Sequence, residues 1–160
     1  MDIKEDQLRK KNLQGLNREL RALINGERDW LANLANAAAL LYNRLEMLNW
    51  AGFYLLKGDE LVLGPFQGLP ACIRIPLGKG VCGDAASKRQ TIVVADVQQY
   101  PGHIACDQAS SSEIVIPMFK GEHILGVMDI DSPIRERFGR LEAQYLERFV
   151  EILVEGSDFA

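Results

Sequence analysis

WAGFYLLKGDELVLGPF, residues 50–66, holds two runs of aromatic and branched side chains on either side of Gly58 and Asp59. A two-residue Gly-containing link between such runs predicts a β-hairpin. Downstream, the same texture recurs in Cys72–Ile75, Thr91–Val94, Glu113–Phe119 and His123–Asp131, and Gly121 with Glu122 makes the last connection tight. Short links of this kind imply antiparallel pairing. Between these strands, GKGVCGDAASKR (78–89) reads as a short helix entered through a glycine loop. Residues 96–112, containing PGHIACD, form a long irregular stretch of the kind that carries function in compact domains. Upstream of the hairpin the first 48 residues lack Pro and hold Gly only at 15 and 26. Leu31, Leu34, Ala35, Ala38, Leu41, Leu45 and Leu48 step by three or four, which predicts a core-facing helical stripe. Phe138, Leu141, Tyr145, Leu146, Phe149, Ile152 and Leu153 mark a closing amphipathic helix. The order predicts an α+β domain, a central antiparallel sheet of about six strands flanked by N-terminal and C-terminal helices.

Composition narrows the function classes. At 160 residues, 48% hydrophobic and 25% charged, the chain has the balance of one globular domain. Its 18 basic against 22 acidic residues leave a net charge of −4, so no basic field attracts a phosphate backbone, and nucleic acid is not an expected partner. The longest apolar run, Ala37–Tyr42, is far below the roughly 20 residues of a membrane span, and the amino terminus MDIKEDQLRKK lacks the pattern of a signal peptide. Three cysteines, an odd number, argue against a fixed extracellular disulfide framework. The expectation is a cytoplasmic protein whose thiols are free or cycle.

Strand periodicity singles out side chains that share a face: Trp50 with Tyr54, and Asp129 with Asp131. Taken alone, such pairs are more often core aromatics and solvated strand-end carboxylates than a pocket. Glu113 opens the apolar strand IVIPMF (114–119), where burial would demand a partner or a cationic ligand. Cys72, Cys82 and Cys106 are spaced too widely for a zinc knuckle or a C-x-x-C pair, and no metal is expected. A Cys106–His103 nucleophile pair lacks a marked oxyanion hole. Buried inert thiols are the plain alternative. Against that, Cys82 and Cys106 both sit in polar, Gly-containing contexts where a thiolate is accessible, which points to redox work. The Gly-rich stretch 68–83 lacks the order of a phosphate-binding loop.

The combination of NWAGFYLL (49–56), LVLGPFQG (61–68), AC-x-RIP-x-G-x-GVCG (71–83), GHIACD (102–107), SEIV (112–115) and G-x-x-DIDS (126–132) closely resembles the free methionine-(R)-sulfoxide reductases, which are stand-alone GAF domains. The resemblance implies a single GAF domain over 1–160, with 1–25 a helical extension and 28–154 the core. It implies thioredoxin-dependent reduction of free L-methionine-(R)-sulfoxide in the cytoplasm, under oxidative stress, without metal or organic cofactor. It also implies roles: Cys106 as nucleophile, Cys72 as resolving cysteine, Cys82 as auxiliary or alternative resolving cysteine, and Trp50, Tyr54, Glu113, Asp129 and Asp131 as the substrate pocket. After Asp131 the chain departs from the family in lacking an acidic start to its last helix, so weak capping is expected there. The alternative from another class is a small-molecule-sensing GAF regulatory module, usually fused to an output domain for which this chain has no room. The helical amino terminus is compatible with a homodimer.

Overall fold

The 50–66 segment forms β1 (Trp50–Lys57) and β2 (Glu60–Gly68), with Lys57 opposite Glu60 and Gly58 in the left-handed conformation that the turn requires. The computed structural model describes residues 2–159 except Ala105 and Asp107, so two positions of GHIACD lie outside the described residues. The other elements are α1 (Ile3–Ile24), α2 (Trp30–Arg44), β3 (Arg74–Pro76), α3 (Gly80–Lys88), β4 (Ile92–Val94), a 3-10 turn at Val97–Gln99, β5 (Ser112–Lys120), β6 (His123–Ser132) and α4 (Arg140–Glu155). The six strands lie in the order β3-β2-β1-β6-β5-β4, and every pairing is antiparallel. Among the described residues no helix is long and apolar enough to cross a membrane.

Alternation divides the sheet into two faces. Ala51, Phe53, Ile114, Ile116, Met118, Met128 and Ile130 point to one side, where α1, α2 and α4 cover them. Leu13, Leu16, Leu20 and Ile24 of α1 recur every three or four residues and are all buried in this core. Trp50, Tyr54, Val115 and Val127 point to the other side, against α3 and the irregular connections. The site therefore sits on the face that helices cover least.

Two expectations need correction. In α2 the buried stripe is Asn33, Leu34, Ala37, Ala38 and Leu41, while Leu31 is 53% exposed and Ala35 is also exposed. The helix is entered through Asp29, whose side chain caps Ala32 N, and Asn33 turns inward to bond Ser157 and the Glu27 and Gly156 carbonyls. That polar anchor rotates the stripe by one position, and Leu45 and Leu48 fall beyond the helix end. The second correction concerns α4, which is capped: Glu142 in its first turn accepts from Gly139 N at 2.8 Å and receives Arg9 Nη2 on both oxygens at 2.6 and 2.7 Å. Glu142 is buried while Arg9 stays partly exposed. Glu142→Ala is expected to cost about 1–3 kcal/mol, because it removes the cap and the buried carboxylate that takes the Arg9 Nη2. A thermal melt lowered by several degrees is the expected reading, and an unchanged midpoint would show that the pair contributes nothing.

Candidate active site

The register of three strands assembles the pocket wall. Trp50 of β1 lies opposite Asp131 of β6, and Asp131 opposite Glu113 of β5, so the three form one cross-strand row. Asp129 stands two residues along β6 on the same face, opposite Gly52, and Tyr54 stands two further along β1. Gly126 is required where β6 passes β1, since a Cβ there would come within 2.0 Å of the Tyr54 carbonyl oxygen. Opposite this wall, α3 brings Cys82 inward. Gly83 beside it permits the approach, because a Cβ would meet the Pro76 carbonyl at 2.5 Å.

All five predicted pocket residues face one cavity, together with Cys82, Cys106 and His103. All five are buried: Trp50 and Tyr54 to 2% exposure, Glu113 and Asp129 to 6%, Asp131 to 8%. The carboxylates are not solvated at a strand end, and the aromatics are core and pocket wall at once. Cys72 and Cys106, 34 residues apart, are joined by a disulfide beside the cavity, while Cys82 is a free, buried thiol. Trp50 stacks between Tyr54 and Phe66, with ring centroids 5.9 and 5.2 Å away. The Tyr54 hydroxyl donates to the Cys72 carbonyl at 2.8 Å, and Trp50 Nε1 donates to the Leu69 carbonyl at 3.2 Å. These two bonds tie the pocket aromatics to the loop that carries Cys72.

Burial, then the charges of neighbouring carboxyls, sets the protonation of the cluster. Glu113 titrates well above the ordinary carboxyl range, first through burial and then through Asp131. Asp129 is pushed up likewise by burial and by Glu113. Asp129 lies against Glu113 and Cys82, with donor atoms of the three within 4.8 Å of one another, and its Oδ1 is buried with no hydrogen-bond partner. Burial and the same carboxyls raise the Cys82 thiol, so it stays protonated at neutral pH. His103 Nε2 lies 3.7 Å from Glu113 Oε1, but burial lowers its pKa, so it holds no stable cation beside Cys106. Donor atoms of Cys82, Glu113 and Asp129 lie within 4.8 Å of one another, close enough to ligate a metal ion, though a metal would have to displace protons that burial retains.

The N-terminus of α3, at Gly80 and Val81, also lines the cavity, and its cap residue Lys79 makes no side-chain cap bond. The sequence reading placed neither this helix end at the cavity nor Phe66 in the aromatic stack. The GKGVCG glycines were the available signal for the first; Phe66 becomes a neighbour of Trp50 only through the β1–β2 register.

A family model for the GAF domain matches residues 19–154. The free methionine-R-sulfoxide reductase of Escherichia coli (strain K12) is 55% identical over 135 residues, 84% of this chain and 82% of that protein. The chain belongs to the free methionine-R-sulfoxide reductase family of GAF domains. Among solved structures, the reduced form of fRMsr of Staphylococcus aureus superposes with a TM-score of 0.88 at 52% identity, covering 91% of this chain and 94% of that one. The free methionine-R-sulfoxide reductase of Neisseria meningitidis in complex with its substrate gives a TM-score of 0.87 at 44% identity, covering 90% and 87%. In this GAF domain the cavity lies between β1, β5, β6 and α3.

Proposed function

We propose that this oxidoreductase reduces free L-methionine-(R)-sulfoxide to L-methionine, drawing electrons from its own thiols and then from thioredoxin in the cytoplasm. The observation that carries the reading is the Cys72–Cys106 disulfide beside a cavity holding Trp50 and buried carboxyls that titrate well above the ordinary carboxyl range. The Cys106 thiolate attacks the sulfoxide sulfur, and the departing oxygen needs a proton that Glu113 or Asp129 can donate. The attack forms a bond between Cys106 and the substrate sulfur as the oxygen leaves, doubly protonated, as water. Water adding to the Cys106 sulfur then breaks that bond and gives back one proton, releasing methionine and leaving Cys106 as a sulfenic acid. The Cys72 thiol displaces its hydroxyl as water, forming the disulfide. An external dithiol then returns two electrons and two protons. No metal or organic cofactor enters this sequence, because the thiols supply both electrons.

Substrate recognition follows from the same walls. The buried Asp129 Oδ1 without a partner fits the α-ammonium of a free amino acid, which a residue within a peptide lacks. The uncapped N-terminus of α3 fits its α-carboxylate. The Trp50 indole meets the S-methyl group. Three fixed points around sulfur leave one sulfoxide configuration facing Cys106. With thioredoxin, thioredoxin reductase and NADPH, oxidation of NADPH is expected with the free R epimer and at least 100-fold less with the S epimer or the N-acetylated R epimer. Comparable rates on all three would refute the pocket assignment. Cys82, protonated and buried beside Asp129, is a slow substitute for Cys72.

A further inference from the structure

We propose that the reducing dithiol protein docks on the β2–β3 loop, against Leu69 and Ile73, and attacks the disulfide at Cys72. The proposal rests on the reaction assigned above and names the surface through which that reaction is renewed.

Large apolar side chains left in water are costly. Leu69 is 64% exposed, Ile73 67% and Ile104 37%, and each lies within three residues of a half-cystine. The exposure is enforced by the backbone of the loop. The Leu69 carbonyl accepts from Trp50 Nε1 at 3.2 Å, the Cys72 carbonyl from the Tyr54 hydroxyl at 2.8 Å, and the Ile73 carbonyl from Leu63 N at 2.9 Å. Three carbonyls drawn inward leave the side chains of Leu69 and Ile73 outside. An ordered apolar rim around a partly exposed disulfide is complementary to a protein that carries its reactive thiol on an apolar surface. Transient redox encounters bury little area, so a few such side chains carry much of the affinity.

The direction of attack follows from disulfide exchange, in which the incoming sulfur approaches opposite the leaving one. Cys106 lines the substrate cavity and Cys72 does not. Both half-cystines are half-buried, but Cys106 shares the pocket with Cys82, His103 and Glu113, whose side chains crowd a docking protein's approach to its sulfur. Attack on Cys72 comes from the outer side, beside Ile73. The partner's thiolate forms a mixed disulfide with Cys72, the Cys72–Cys106 bond breaks, and Cys106 leaves as the thiolate that the next substrate needs. The partner's second thiol, losing its proton to water, then attacks the partner's own sulfur. That closes the partner's disulfide and releases Cys72, which takes up a proton.

The test compares two reductants on the whole chain. In the double variant Leu69→Glu/Ile73→Glu the KM for thioredoxin is expected to rise at least tenfold, while dithiothreitol-driven turnover and single-turnover methionine formation stay at wild-type values. An unchanged KM for thioredoxin overturns the docking surface, as does an equal loss with dithiothreitol, which would give the loop a part in the first half-reaction. Absence of dithiothreitol-driven turnover in the wild-type protein counts against the reaction itself, a failure distinct from failure of the surface. Thioredoxin with its second active-site cysteine replaced by serine is expected to be trapped on Cys72; a peptide map showing it on Cys106 overturns the direction of attack.

Discussion

Cys106→Ser is expected to form no methionine even when enzyme exceeds substrate. A serine hydroxyl is protonated at neutral pH and is a far weaker nucleophile than a thiolate, so the first sulfur–oxygen cleavage should slow by more than about 10³-fold. Rapid quench of the pre-reduced variant with free methionine-(R)-sulfoxide measures this directly. Stoichiometric methionine from Cys106→Ser would remove Cys106 from the nucleophile's place. Cys72→Ser should differ in kind, because the thiolate that meets substrate is intact. About one methionine per chain should form, followed by a stall with a sulfenic acid on Cys106 visible by mass spectrometry. Cys82 should not rescue it efficiently, since burial and three carboxyls keep its thiol protonated. Continued thioredoxin-driven turnover of Cys72→Ser would show that Cys72 is dispensable.

Asp129→Asn and Glu113→Gln are expected to slow the same first step by about 10²- to 10⁴-fold, the range of a lost general acid. Each amide nearly keeps the shape of the side chain but can neither carry the transferable proton nor hold an ammonium by charge. Reduction of the disulfide by thioredoxin should be unaffected, which separates this defect from one at the cysteines. Stability should move the other way. Both carboxyls titrate higher in the fold than their ordinary values of 3.8 for Asp and 4.5 for Glu, so between the two the folded chain retains protons that the unfolded chain has lost. Stability from these groups is intact below the ordinary values and falls as pH rises toward the raised ones. The gain in melting temperature of each variant over wild type should therefore be larger at pH 8 than at pH 5. A gain that is constant with pH, or an undiminished first step in both variants, would remove the two carboxyls from the proposed chemistry.

Alternation within a strand is local, so the pairing of Trp50 with Tyr54 and of Asp129 with Asp131 on one face was legible from spacing alone. The hairpin at Gly58 and Asp59, the order of helices and strands, and α4 were legible for the same reason: each depends on residues a few positions apart. The rotation of the α2 stripe was not, because Asn33 turns inward only where Ser157 and the Gly156 carbonyl, more than 120 residues away, meet it. Nor was the cap of α4, whose Glu142 is buried through Arg9 at the other end of the chain. The motifs from NWAGFYLL to DIDS identify the family without any structure, since their residues lie at readable positions. What only the tertiary structure decided is the site as a chemical object. Register between β1, β6 and β5 sets Trp50, Asp131 and Glu113 in one row, and the packing of α3 brings in Cys82. A carboxyl's pKa depends on the water excluded around it and on the charges facing it. Those are properties of groups dozens of residues apart in sequence, which no local pattern records.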